Sequence, residues 1–140
     1  MTLDELNSCP KDKFVEAIGW VFEKSPWIAE RAWRKRPFKS FDDLSTRMIQ
    51  EVQASSPDAQ LALLEAQQGV SVASEEFSRL NETYRTKFGF PFIFSVKDAG
   101  DAAVADALKR RMQSPPEQEF QVALGHVFRI ARFRLEETIR

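Results

Sequence analysis

The sequence that decides the fold is residues 74–96, SEEFSRLNETYRTKFGFPFIFSV. In its first part, apolar side chains recur at the three- and four-residue spacing that places them on one face of a helix: Phe77, Leu80 and Tyr84. Gly89 predicts the end of that helix, because glycine readily adopts the left-handed conformation that follows a helix. We expect residues 90–96 to be a buried extended linker rather than part of a sheet, because no second strand is predicted to pair with them.

The same signals predict helices along the rest of the chain. Serine precedes proline at Ser25, Ser56 and Ser114, a typical helix start in which serine caps the first turn and proline fits its first position. Ser40 with Asp43 is close to a capping box. The predicted helices cover residues 10–24, 26–35, 41–54, 57–67, 74–88, 101–113 and 115–138, with a short turn at 3–7. Because every connection is short, we predict an all-α fold of about six to eight helices in a single compact domain over residues 1–140.

Composition excludes several classes of protein. The chain has 20 basic and 21 acidic side chains, whereas a general nucleic-acid binder would show a basic excess. Its one cysteine and one histidine cannot form a disulfide or a typical transition-metal site, so we expect no metal and a reducing compartment. No apolar run approaches the ~20 residues that span a bilayer, and the N-terminus lacks signal-peptide features. We therefore expect a cytoplasmic protein with no membrane or nucleic-acid partner.

One arginine lies where the helical pattern requires an apolar residue. In the last predicted helix, Arg134 falls between Val127 and Ile130 on the helical wheel, inside the apolar stripe. An unpaired guanidinium is costly to bury, so Arg134 either forms an internal ion pair, extends to solvent, or binds an anion such as a carboxylate. The pattern leaves these alternatives open. Arg132 and His126 lie off the stripe, and we expect both to be solvated or lightly packed, with no catalytic role for the histidine.

Three blocks of sequence, in order, resemble the family of 2-oxo-4-hydroxy-4-carboxy-5-ureidoimidazoline (OHCU) decarboxylases. Residues 14–38 resemble its opening helices, KFGFPFI at 87–93 resembles its most recognisable motif, and residues 123–135 resemble its closing helix. The resemblance implies a helical fold, no cofactor and often a homodimer. It implies a carbon–carbon lyase of urate degradation, which removes the carboxylate of OHCU as carbon dioxide and yields (S)-allantoin.

The resemblance also implies which residues bind the substrate. Backbone amides just after the GFP turn contact the substrate in the family, and here they belong to Phe92, Ile93, Phe94, Ser95 and Val96. The arginine of the family's closing LRL-like motif corresponds to Arg134, the residue that the helical wheel had already singled out. We therefore expect Arg134 to point into a cavity lined by the backbone of residues 92–96.

The catalytic histidine of the family is missing from this sequence. The family carries a His-Pro-Asp-Leu motif, then a connector and a Ser-x-x-Glu-Gln helix whose glutamate assists the histidine. Here residues 61–66 match the lead-in, Gln67 takes the register of the histidine, and Ser74 follows after a much shorter connector. Glutamine cannot exchange a proton near neutral pH, so the shortened segment near 67–73 offers no catalytic acid or base.

Three explanations of the shortened segment are open. Either the complete protein carries residues near 67–73 that this sequence lacks, or a deletion has left a scaffold that binds without turnover, or the chain has acquired another role. The intact mass of the protein, compared with 16.1 kDa, separates the first from the others. The predicted function is decarboxylation of OHCU. The alternative is a catalytically inactive helical scaffold that acts as a binding or interaction protein.

Overall fold

Eight α-helices account for most of the chain in the computed structural model, which describes residues 1–70, 72–95 and 99–140. None of these residues forms a strand, so the predicted all-α class is confirmed. No helix in the described part of the chain has the length and apolar character needed to cross a membrane. The helices are α1 Leu3–Ser8, α2 Lys11–Ile18, α3 Trp27–Trp33, α4 Phe41–Gln53, α5 Pro57–Ala66, α6 Glu75–Phe88, α7 Asp101–Arg111 and α8 Pro116–Thr138.

Capping side chains fix several of these helix starts. The hydroxyl of Ser40 accepts the N–H of Asp43 at 3.0 Å, and that of Ser56 accepts the N–H of Ala59 at 3.1 Å, as predicted. The predicted cap at Ser25 is wrong. Its hydroxyl donates instead to the carbonyl of Glu23 at 3.0 Å, so α3 has no side-chain cap.

The first predicted long helix, over residues 10–24, is also wrong in its second half. Helix α2 ends at Ile18, and a single 3₁₀ turn at Gly19–Val21 follows. The carbonyl of Val21 accepts a hydrogen bond from the Arg134 guanidinium instead of a helical N–H. Lys24 then adopts a left-handed conformation with φ of +52°. The chain therefore turns sharply where the sequence pattern predicted a continuous helix.

Contacts along the chain divide it into two units, Met1–Ala66 with Phe128–Arg140, and Gln67–Val127. Helix α8 contributes residues to both, and the prediction of one domain over residues 1–140 stays a prediction. The first unit has an aliphatic and aromatic core that includes Leu6, Phe14, Ile18, Ile28, Leu44 and Met48. The core of the second unit is richer in aromatic rings and includes Phe77, Tyr84, Phe90, Phe92, Leu108 and Leu124.

Helix α6 stops where the sequence predicts. Gly89 has φ of +85°, the left-handed conformation in which other residues would be strained, and its N–H donates to the carbonyl of Arg85 at 2.8 Å. Residues 90–95 form neither helix nor strand, and most of them are buried. The expected buried linker is therefore confirmed for residues 90–95, which are held inside the second unit.

Candidate functional site

The segment of residues 90–95 is held by close packing in the second unit. The ring of Tyr84 lies 5.9 Å from that of Phe90 and 5.4 Å from that of Phe92, both edge to face. Gly69 approaches the segment closely, because a Cβ built there would lie 3.0 Å from the Cβ of Pro91. The packing gives the backbone little freedom to move.

Three hydrogen bonds hold successive peptide groups of this segment. The N–H of Val70 donates to the carbonyl of Phe92 at 3.1 Å, and the guanidinium of Arg111 donates to that of Ile93 at 2.5 Å. The N–H of Ser95 donates to His126 Nδ1 at 3.0 Å. Each of the peptide groups that link residues 92 to 95 is thus fixed by one contact from outside the segment.

The same segment carries backbone donors that find no acceptor in the part of the chain that the structure describes. The N–H groups of Phe92, Ile93 and Phe94 donate to no atom of the described residues. Phe92 and Ile93 are 0% and 1% exposed, and buried backbone N–H groups are rarely left without an acceptor. These three amides can therefore serve an oxygen atom of a ligand.

The two remaining amides of the predicted substrate-binding set differ from these three. The N–H of Ser95 is already donated to His126, so in this structure it is not available to a ligand. Val96 lies outside the described residues. The structure thus places four of the five predicted amide residues together on one short segment, and the N–H groups of three of them have no acceptor in the described ranges.

Arg134, the predicted carboxylate-binding residue, forms an ion pair in the first unit. Its Nη2 lies 2.9 Å from Glu23 Oε1, and its Nη1 donates to the carbonyl of Val21 at 3.1 Å. The internal ion pair that the sequence pattern allowed is therefore present. A guanidinium has five N–H donors, and the remaining ones donate to no described residue from a side chain that is 25% exposed. The ion pair leaves Arg134 able to bind a further anion.

Arg132, expected to be solvated, has a side chain that is 41% exposed, and it also has partners at the surface. Its guanidinium forms an ion pair with Asp42, lies 3.6 Å from Glu136 Oε1 and stacks over the ring of Phe41 at 4.9 Å. The helical wheel placed it correctly off the apolar stripe of α8. The wheel could not show that α4 supplies a carboxylate and an aromatic ring there.

His126 was also expected to be solvated or lightly packed, and it is buried. It is 9% exposed, and its ring lies 5.8 Å from that of Phe94. The hydroxyl of Ser95 lies 2.8 Å from the same Nδ1 that accepts the Ser95 N–H. The linker covers this flank of α8, so the histidine holds the predicted substrate-binding segment.

A buried charged network in the second unit was missed from the sequence. Glu119 is 0% exposed, and its Oε1 accepts hydrogen bonds from the Tyr84 hydroxyl at 2.6 Å and from Arg111 Nε at 2.7 Å. Burial is the main cause that raises the pKa of Tyr84 well above its ordinary value, and the hydrogen bond to Glu119 adds to it. On the helical wheel Glu119 lies about 20° from His126, at the edge of the apolar stripe, so the wheel argument that found Arg134 did not single it out.

The connector between α5 and α6 offers no histidine. Gln67, at the register of the family histidine, is 6% exposed. In the second unit, a cavity of about 350 Å³ is lined by Gly69, Val70, Asn81, Glu82, Arg85 and Pro91. A wider and more open depression of the surface is lined by Val72, Ala73, Ser74, Glu75, Ser78 and Arg79. That a catalytic histidine belongs in this segment stays a prediction from the resemblance.

Comparison with known proteins gives one consistent family. The family model of OHCU decarboxylase matches residues 7–72 and 65–136. An OHCU decarboxylase of Haloferax volcanii is 39% identical, with 98% of this chain and 95% of that protein covered. One of Halalkalicoccus jeotgali is 38% identical, with 98% and 91% covered. The crystal structure of an (S)-allantoin synthase superposes with a TM-score of 0.93 at 36% identity, covering all of this chain and 54% of that one.

The same comparisons show a difference in length. The two family matches overlap at residues 65–72, in the region of the shortened segment. The alignments with both archaeal proteins extend over 160 residues, although this chain has 140. These relatives therefore carry residues that this chain does not have.

Proposed function

The chain belongs to the OHCU decarboxylase family, and on that premise we propose that it decarboxylates OHCU to (S)-allantoin in urate degradation. The observation that carries the proposal is the set of N–H donors of Phe92, Ile93 and Phe94, which have no acceptor among the described residues. OHCU offers oxygen atoms that such donors can bind, on its ring carbonyl and its ureido group. The family assignment and the free donors therefore support the same ligand.

Backbone amides suit this reaction for a physical reason. When the carboxylate leaves as carbon dioxide, the bonding electron pair stays on the ring and its negative charge spreads onto neighbouring heteroatoms. Fixed N–H dipoles stabilise such developing charge without having to reorganise during the reaction. Residues 92–94 are held at both ends by the contacts of Val70 and His126, so their donors are preorganised.

Arg134 is proposed to bind the substrate carboxylate. A guanidinium stays charged in a partly dry site, where a lysine can lose its proton, and it matches the planar carboxylate with paired donors. Glu23 and the Val21 carbonyl restrict the orientation of Arg134, and its remaining donors are available to the substrate. Both observations support a role in binding rather than in proton transfer.

Proton delivery is the step for which the shortened segment offers no group. After carbon dioxide leaves, one face of the ring carbon must receive a proton to give the S product. A positioned acid or base contributes about 10²–10⁴-fold to a rate, so we expect this chain to turn over more slowly than a relative with the histidine by about that factor.

The second candidate function is a scaffold that binds the same ligand and has no turnover. Gln67 at the register of the histidine is the observation that favours it. Carbon dioxide release and the circular dichroism of the product, measured with freshly generated OHCU, separate the two. The proposed function predicts release faster than the uncatalysed reaction and an excess of (S)-allantoin. Release at the uncatalysed rate with a racemic product would establish the scaffold instead.

The finer predictions about location and assembly rest on the resemblance. The family acts on a small anionic molecule, and we propose that this chain does so in the cytoplasm. A homodimer is also proposed, and sedimentation or light scattering of the purified protein measures it directly. A monomer at micromolar concentration would contradict the homodimer without touching the proposed reaction.

A further inference from the structure

Arg111 and Glu119 form a buried ion pair whose presence requires an explanation. Glu119 is fully buried, and the side chain of Arg111 is only 11% exposed. Removing two charges from water costs several kcal/mol per ion, and a well-packed apolar pair often stabilises a fold equally well. Arg111 Nη2 lies 2.6 Å from Glu119 Oε1 as part of this pair, whereas Glu119 Oε2 accepts no hydrogen bond in the described part of the chain. Stability alone is therefore a poor account of this pair.

The geometry of Arg111 suggests a different role. Its Nε donates to Glu119 Oε1 at 2.7 Å, while its Nη1 donates to the carbonyl of Ile93 at 2.5 Å. Because a guanidinium is planar and rigid, two contacts made by different nitrogens fix its orientation. Tyr84 donates to the same Glu119 oxygen at 2.6 Å and so fixes the carboxylate in turn.

The hydrogen bond from Arg111 to the Ile93 carbonyl also sets the direction of the Phe94 N–H. The carbonyl of Ile93 and the N–H of Phe94 belong to one planar trans peptide group, in which they point in opposite directions. A hydrogen bond that holds the carbonyl therefore also holds the N–H. The Phe94 N–H is one of the three donors without an acceptor among the described residues.

We propose that Arg111, held by Glu119 and Tyr84, is a positioning residue that directs the Phe94 amide toward an oxygen atom of the substrate. The inference rests on the proposed function, because it takes the amides of residues 92–94 as substrate-binding groups. Arg111 itself does not touch the substrate. Its contribution is to keep a donor preorganised, which a backbone free to rotate would not provide.

The test uses Arg111→Lys, which keeps the charge beside Glu119 but cannot reach both partners with one ammonium group. Arg110→Lys is the matched control, because Arg110 is an exposed neighbour on the same helix. The probe is (S)-allantoin, measured by titration calorimetry, since it lacks the carboxylate that Arg134 is proposed to bind. We expect Arg111→Lys to bind allantoin about tenfold more weakly and Arg110→Lys to match the wild type.

A second readout does not depend on binding. The ¹H–¹⁵N resonance of the Phe94 amide in the free protein should shift in Arg111→Lys and stay in place in Arg110→Lys. Tyr84→Phe, which leaves the ion pair intact, is the milder variant if Arg111→Lys does not fold. We expect it to shift the same resonance and to weaken allantoin binding about threefold.

The outcomes separate this inference from the proposed function. An unmoved Phe94 resonance, or unchanged allantoin affinity in a folded variant, overturns the positioning role. A wild-type protein that binds no allantoin contradicts the proposed function instead. In that case the Phe94 resonance still decides whether Arg111 holds the peptide group.

Discussion

Two connectors of the second unit differ in what they contribute. Residues 90–95, between α6 and α7, are mostly buried, are held by Val70, Arg111 and His126, and present backbone donors that have no acceptor among the described residues. Residues 67–74, between α5 and α6, begin with Gln67 and contain most of the overlap between the two family matches. On the proposed function, the difference assigns substrate binding and proton transfer to separate connectors. A chain can shorten one and keep the other.

Restoring the short connector should have the largest effect. We expect a chimera with the Haloferax volcanii connector in place of residues 67–74 to raise kcat by about 10²-fold or more, because it should regain the acid–base histidine of the family. Product formation from OHCU measures the gain. The same graft with its histidine replaced by glutamine is the control. Equal rates for the two grafts would show that the comparison between connectors is wrong.

Arg134→Ala tests the binding side of the comparison. It should weaken binding of an anionic substrate analogue by about 2–5 kcal/mol, the range for truncating one partner of a buried charged pair. Arg132→Ala is matched to it, since both variants remove a partly exposed arginine of α8 that forms ion pairs, each worth about 0–1 kcal/mol of stability. Calorimetric titration that gives equal affinities for the two variants would remove Arg134 from the site.

Gly69→Ala tests how closely the two connectors pack. The added Cβ would lie 3.0 Å from the Pro91 Cβ and 3.3 Å from the Phe92 carbonyl oxygen, so we expect a loss of about 1–3 kcal/mol in the free energy of unfolding. Gly125→Ala is the opposite control. Gly125 lies in a helix, and nothing lies within 4 Å of a Cβ built there. Alanine should therefore raise the free energy of unfolding by about 0.5–1 kcal/mol. If urea unfolding shows that both variants change the free energy of unfolding in the same direction, the result would contradict this packing.

The smallest effect concerns Tyr84, the only tyrosine. Burial and the hydrogen bond to Glu119 raise its pKa in the folded protein, whereas the unfolded chain ionises it near pH 10. The stability from this shift is therefore fully present below about pH 10 and falls as pH rises further, because the unfolded state then binds fewer protons. The stability difference between wild type and Tyr84→Phe should shrink by up to about 1.4 kcal/mol per pH unit above pH 10. A difference that is independent of pH would contradict the buried phenol.

Local pattern was sufficient for most of the fold. The spacing of apolar residues predicts the helices, because each buries one face, and Gly89 predicts the end of α6 through its left-handed backbone. The same pattern fails at residues 19–24, where a long-range bond from Arg134 to Val21 replaces a helical one. A periodicity argument sees neighbours three or four residues apart and cannot anticipate a partner over a hundred residues away.

Some residues of the candidate site could likewise be predicted from local pattern, and others could not. Arg134 could be found because a charge on an apolar stripe is visible in the sequence, and the segment of residues 92–96 because its motif resembles the family's. The roles of His126 and Arg111 could not be found from the sequence. Their partners Ser95 and Ile93 lie 31 and 18 residues away in the chain. Only the folded arrangement of α7, α8 and the linker brings these groups together.

Steady-state kinetics on OHCU, measured side by side for this chain and the Haloferax volcanii relative, test the central claim most directly. If binding is kept and proton transfer is impaired, KM should agree within about threefold while kcat is lower in this chain by about 10²–10⁴-fold. A kcat equal to that of the relative would show that another group supplies the proton. A KM raised together with a lowered kcat would show that the binding segment has been lost as well, and either result would contradict the account.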